Sequence, residues 1–188
     1  MSYVMTQLST DHANLAKLLN ALERQLAAFD RGETPDYELI EAVLDYVLNY
    51  PDVHHHPLED KVLARLRSRD AEAANAVGAL DQEHADLHAL TARCKAAVDG
   101  ILLDQEIPRE TVHGLTAEVL EAYRKHMTME NTVFFPEAER ALTPEDWDAL
   151  DEEARATPSD PLFGSDLDRR YAMLRDDILS WDASAAES

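Results

Sequence analysis

The sequence is short of several things, and each shortage closes off a class of structure or function. It holds one cysteine in 188 residues, so no internal disulfide can form, and a reducing, cytoplasmic setting is expected. Five glycines and an aromatic share of 6%, beside abundant Ala and Leu, disfavour β architectures and favour an all-α fold. Basic residues are scarce: 17 Lys and Arg face 38 Asp and Glu, a net charge of −21. Such a surface repels phosphate backbones and anionic lipid headgroups, so neither nucleic acid nor membrane is expected as a partner. No apolar run approaches the roughly 20 residues needed to cross a bilayer, and the N-terminus lacks the basic start and apolar block of a secretory signal. What remains is a soluble helical protein suited to a small or neutral ligand.

What is present is a set of long amphipathic segments. A first helix is expected from about Thr6 to Phe29, with Leu8, His12, Leu15, Leu19, Leu22, Leu26 and Phe29 stepping by four and three. It ends in a turn at Gly32. A second begins near Pro35 and runs to about Arg67, carrying Leu39, Val43, Val47 and Tyr50. Pro51 and Pro57 fall inside it, so it either bends beside the histidines or divides at Tyr50-Pro51-Asp52. A third runs from about Asp70 to Leu103 along Val77, Leu80, His84, His88, Thr91, Val98 and Leu102. The fourth follows Pro108 along Val112, Leu115, Val119, Tyr123, His126, Glu130, Val133 and Phe134. Short connections between such helices make an antiparallel up-down-up-down four-helix bundle over residues 1–142 the expected topology.

From Thr143 the composition shifts to 13 acidic residues against four Arg. Thr143-Pro144-Glu145-Asp146 reads as a capped helix start, and a last amphipathic stretch carries Leu167, Tyr171, Leu174, Ile178 and Trp181. This extension, residues 143–188, has too little core to fold alone. It is expected to pack on the bundle or on a second subunit, making a homodimer.

The seams share one feature: each turns from aliphatic to ionisable and back. His55 and Glu59 are spaced i,i+4, as are His84 and His88, and His126 and Glu130, while His12 stands alone; each pair projects from one helical face. In the second segment, threes and fours from Glu59 reach Val62, Leu63 and Leu66, whereas those from Asp60 reach Arg67. His55 and Glu59 therefore face inward, with His54 and His56 on the flanks. If the four seams meet, His12, His55, Glu59, His84, His88, His126 and Glu130 converge. One buried His is ordinarily a hydrogen-bonded core residue, but seven ionisable groups at one depth without a shared partner would be costly.

Two six-coordinate metals offer about twelve positions. Five imidazoles, two bridging carboxylates and a bridging oxide or hydroxide fill all but one. His84, His88 and His126 group on one metal, leaving His12, His55 and the open position on the other. Imidazole-rich ligation with two carboxylates suits iron, with manganese or zinc as competitors, and the set lacks the thiolates that favour copper(I) or iron-sulfur clusters. An open position walled by Leu and Val suits dioxygen, peroxide or nitric oxide. Tyr123, one turn before His126, is the candidate to act on such a ligand, or else a core tyrosine. Cys94 and Met127 read as packing residues.

The motifs D-H at Asp11-His12, H-H-P-L-E-D at His55 to Asp60, E-H-A-D-L-H at Glu83 to His88, and H-M-T-M-E-N-T-V-F-F-P at His126 to Pro136 carry a resemblance. In that order and spacing the chain resembles the hemerythrin-like, or HHE cation-binding, proteins. The resemblance implies a non-haem di-iron centre held by the seven residues named above. It also implies one of the family's roles: dioxygen binding, sensing through a partner, or decomposition of peroxide or nitric oxide. Repair of iron-sulfur clusters is less expected, since those relatives usually carry a further N-terminal domain. Two departures stand out. Glu130 follows its His by four residues, where oxygen carriers have an Asp five residues on, and Tyr123 occupies a position usually aliphatic in the carriers.

Overall fold

The computed structural model describes residues 2–155, 160–165 and 167–186, and every regular element among them is helical. The first helix, α1 (Tyr3–Asp30), starts at Ser2, whose side-chain oxygen accepts the Met5 N–H at 3.2 Å. The Asp151 carboxylate accepts the Tyr3 and Val4 N–H groups at 2.9 and 2.8 Å, adding a negative charge where the helix dipole is positive. At the other end Gly32 takes φ +74°. That lets the Glu33 N–H reach back to the Ala28 carbonyl at 2.9 Å and close the helix.

Between α2 (Tyr37–Asn49) and α3 (His56–Arg69) lies a wide π-type turn, Pro51–His55, rather than a loop. The His56 N–H bonds the Pro51 carbonyl, five residues back. Pro57 explains the widening, because it has no N–H to give and its ring would press on the carbonyl four residues earlier. The same device recurs after α6 (Arg109–Met129), where the wide turn Glu130–Phe134 leads into α7 (Phe135–Ala141). There the Phe135 N–H bonds the Glu130 carbonyl, and Pro136 follows. The expected third helix is broken at Gly78, which holds φ +87°, into α4 (Ala71–Val77) and α5 (Leu80–Leu102).

Helix α1 packs against α2 and α6, α2 against α5, and α5 against α6, so four long elements form a closed ring. The acidic C-terminal stretch contributes α8 (Pro144–Arg155), which packs on α1 and α3, and α9 (Ala172–Ala186), which packs on α1 and α2. Asp146 of α8 accepts two hydrogen bonds from Arg69 at 2.7 and 2.9 Å, and these hold its carboxyl down to about 2. Leu167, expected in the last amphipathic helix, lies ahead of it and is exposed.

The apolar interior is in two parts. One joins Leu15, Leu18 and Leu22 to Val43, Val47, Leu87, Val98, Val119 and Tyr123. The other joins Val4, Leu8, Leu58, Val62, Leu80, Phe134 and Phe135. Along α1 the change from one to the other falls between Leu8 and Leu15, at Asp11 and His12. Along α5 it falls between Leu80 and Leu87, at His84. A layer of ionisable side chains thus separates the two clusters.

Candidate metal centre

Each inward histidine in this layer is oriented by an outward partner. His12 Nδ1 donates to Asn131 Oδ1 at 3.0 Å, His55 Nδ1 to Asp11 Oδ2 at 3.1 Å, and His126 Nδ1 to Glu83 Oε2 at 3.3 Å. His56 Nδ1 lies 3.0 Å from Asp52 Oδ1, and His84 Nδ1 lies 3.6 Å from Asp60 Oδ1. Where Nδ1 is the donor and the ring is neutral, the lone pair stands on Nε2, the tautomer that a metal ligand requires.

Those Nε2 atoms converge on two carboxylates that are completely buried. Glu59 lies 3.4 Å from His55, 3.5 Å from His84 and 3.8 Å from His12. Glu130 lies 3.0 Å from His126, 3.2 Å from His12 and 3.7 Å from His84. The donor atoms fall into two groups: His56, Glu59, His84 and His126, and His12, His55, Glu59 and Glu130, the atoms of each within 4.8 Å of one another. Glu59 belongs to both.

Lone pairs face lone pairs across this space. Nε2 of His12, His84 and His126 and all four oxygens of Glu59 and Glu130 are buried without a hydrogen-bond partner. Leaving so many buried polar atoms unpaired is expensive, and a shared cation removes the cost. Protons are the default cation. Burial alone would pull His84 down, but its contacts with Glu130 and Glu59 prevail and push it up to about 9. Burial likewise opposes charge on Glu130, yet His12, His126 and His84 hold its carboxyl well below the usual range. Metal cations of the borderline class satisfy the same donors without the protons, and the mixed imidazole and carboxylate set fits them.

Six of the seven residues singled out in the sequence lie together here: His12, His55, Glu59, His84, His126 and Glu130. His88 does not. Its side chain is 58% exposed and pairs with Asp52 at the surface, because α5 turns Leu80, His84, Leu87, Thr91, Cys94 and Val98 inward. That four-three alternation is present in the sequence and puts His88 on the flank. His56 takes the inward position instead. It is 5% exposed, its ring stacks on His84 with centroids 4.0 Å apart, and the wide turn before Pro57 rotates it in beside His55.

Tyr123 is buried in the larger apolar cluster, and its hydroxyl has no hydrogen-bond partner. Burial pushes its phenol above the ordinary range. It is not among the grouped donors. Cys94 is buried in the same cluster, and burial raises its thiol to about 11.

Comparison with curated proteins and with solved structures finds no match. The family model described as the hemerythrin HHE cation binding domain matches residues 4–157, from α1 through α8. With most of its length matched and two groups of His and Glu able to hold a cation between its helices, the chain belongs to the hemerythrin HHE cation-binding family.

Proposed function

We propose that this protein holds two iron ions between the helices of an up-down-up-down bundle and binds dioxygen, or a related small oxidant, at that centre. The observation that carries the reading is the set of seven buried Nε2 and carboxylate oxygen atoms with no partner of their own. His56, His84 and His126 would hold one ion and His12, His55 and Glu130 the other, with Glu59 common to both groups. Iron so held would supply a redox-active cation, and the group with only two imidazoles has the more room for a small ligand.

The chain's own residues set the conditions. Asp11, Asn131, Asp52 and Glu83 fix the imidazole orientations, and the two apolar clusters keep bulk water from the centre. A cleft of about 230 Å³ between α5 and α6, lined by Glu83, Asp86, Leu87, Leu90, Ala122, Lys125 and His126, opens beside the three-imidazole group. Turnover of peroxide or nitric oxide is the second reading. It is favoured by the Tyr123 hydroxyl, buried one turn from His126 with no partner, and so free to donate a hydrogen bond.

Metal analysis joined to optical spectra of the reduced protein before and after air tests both readings. About two irons per chain, with an absorption that appears in air and fades when oxygen is removed, is the expected outcome. Less than about one metal per chain, or zinc alone, contradicts it. Steady oxygen evolution from peroxide selects the enzyme over the binder.

A further inference from the structure

Leading away from the centre on the α2 side is a row of three buried tyrosines. Tyr50 donates to Asp11 Oδ1 at 3.4 Å, and the other oxygen of Asp11 accepts from His55 at 3.1 Å. The Tyr50 ring stacks on Tyr46 with centroids 5.5 Å apart. Tyr46 in turn meets the Tyr171 ring edge-on, also at 5.5 Å. All three rings are almost wholly buried. The last lies beneath the guanidinium of Arg170, 5.3 Å from the ring centre, and the Arg170 side chain is 62% exposed.

Each phenol donates to an aspartate: Tyr50 to Asp11, which Gln7 and His55 share, Tyr46 to Asp160 at 2.9 Å, and Tyr171 to Asp45 at 2.9 Å. A backbone carbonyl would satisfy a buried hydroxyl at less cost than a buried carboxylate does. What a carboxylate adds is basicity. A phenol loses an electron readily only if its proton can leave at the same time, and each of these protons has an acceptor in place. The alternative reading, three core tyrosines tied down by hydrogen bonds, accounts for the burial but not for an aspartate at every step. Tyr123, equally buried, has no hydrogen-bonded carboxylate.

We propose that Tyr50, Tyr46 and Tyr171 form a relay that carries oxidising equivalents from the metal centre to the protein surface. The relay rests on the iron reading above. Where a peroxide-class oxidant leaves the centre one electron short, Tyr50 would supply that electron and pass its proton to Asp11. Tyr46 then reduces the Tyr50 radical; Asp160 takes the Tyr46 proton, and Asp11 returns the first one to Tyr50. Tyr171 repeats the exchange with Tyr46, and its proton moves to Asp45. The net change is one electron moved from Tyr171 to the iron and one proton from Tyr171 to Asp45. An ascorbate-class or thiol reductant in solution then repairs Tyr171 through the Arg170 face.

The test places 3,5-difluorotyrosine at position 171 in the full iron-loaded chain, because fluorine splits the EPR signal of a radical on that residue alone. Air-oxidised protein, its iron already ferric, is mixed with excess hydrogen peroxide, frozen and measured, with iron content and oxidation state read on the same sample. A fluorine-split phenoxyl signal is expected. Tyr46→Phe should abolish it at unchanged iron content, whereas Tyr123→Phe should leave it. Asp160→Asn keeps the ring stack but removes the proton acceptor, should cut the signal severalfold, and decides the matter if Tyr46→Phe does not fold. Peroxide consumed by the ferric protein with no radical at position 171, or a radical of equal intensity in Tyr46→Phe, overturns the relay and leaves the metal reading standing. A chain that binds no iron overturns both.

Discussion

Two pairs of histidines in this protein obey opposite rules. His84 and His88 are one helical turn apart on α5, the spacing that puts two side chains on one face, yet His84 reaches the carboxylates and His88 lies in solvent. His55 and His56 are neighbours, which a regular helix would turn about 100° apart, yet both rings are buried in the donor layer. The difference lies in the backbone. Helix α5 is regular where it passes the centre, so only one residue per turn can face it. The chain before α3 is wound in a wide turn that presents consecutive residues. Spacing therefore identifies ligand candidates, and the width of the turn decides which of them arrive.

Four substitutions probe that contrast, in falling order of effect. Glu59 is the one donor common to both groups, so Glu59→Gln should empty both metal sites, with metal content by elemental analysis falling to background. Retention of one ion would mean that the groups are independent. Asp52 touches both His56 and His88. Asp52→Ala should weaken metal binding roughly tenfold through His56, as is usual when the hydrogen-bond partner of a ligand is lost. An unchanged affinity in competition with a chromophoric chelator would put His56 outside the centre.

Pro57→Ala removes the steric cause of the wide turn. With an N–H restored, the turn can tighten toward regular helix and swing His56 away, so a metal affinity a few-fold lower is expected with no loss of thermal stability. Equal affinity would show that tertiary packing alone holds the turn. The smallest effect on the metal belongs to Tyr123→Phe, which removes only an unpartnered hydroxyl. Iron content should not change, while the lifetime of the oxygenated absorption or the rate of peroxide consumption should. If neither moves, Tyr123 is a packing residue.

Much of this arrangement is written in local pattern. The α1 seam from Leu8 through His12 to Phe29 is buried along its length, because a long amphipathic helix needs only its own periodicity to select a face. Six of the donors follow from the same logic, since they sit at the depth where aliphatic seams are interrupted. The remainder depends on backbone detail or distant chain. Gly78 breaks a pattern that reads as continuous helix, because its positive φ shows only in three dimensions. The exchange of His56 for His88 hangs on one residue of turn width. The caps and ion pairs of the acidic stretch, Asp151 on the start of α1 and Asp146 on Arg69, join residues more than 70 positions apart. No periodicity connects them. The Asp160 partner of Tyr46 was out of reach for the same reason.

In the proposed centre His56, and not His88, supplies the fifth imidazole. The most direct test of that assignment is the iron content of His56→Ala and His88→Ala, prepared side by side and normalised to the parent chain. The account predicts that His88→Ala keeps the full complement, while His56→Ala loses about half of it as the His84 and His126 group gives up its third imidazole. Full retention in His56→Ala together with loss in His88→Ala would contradict it.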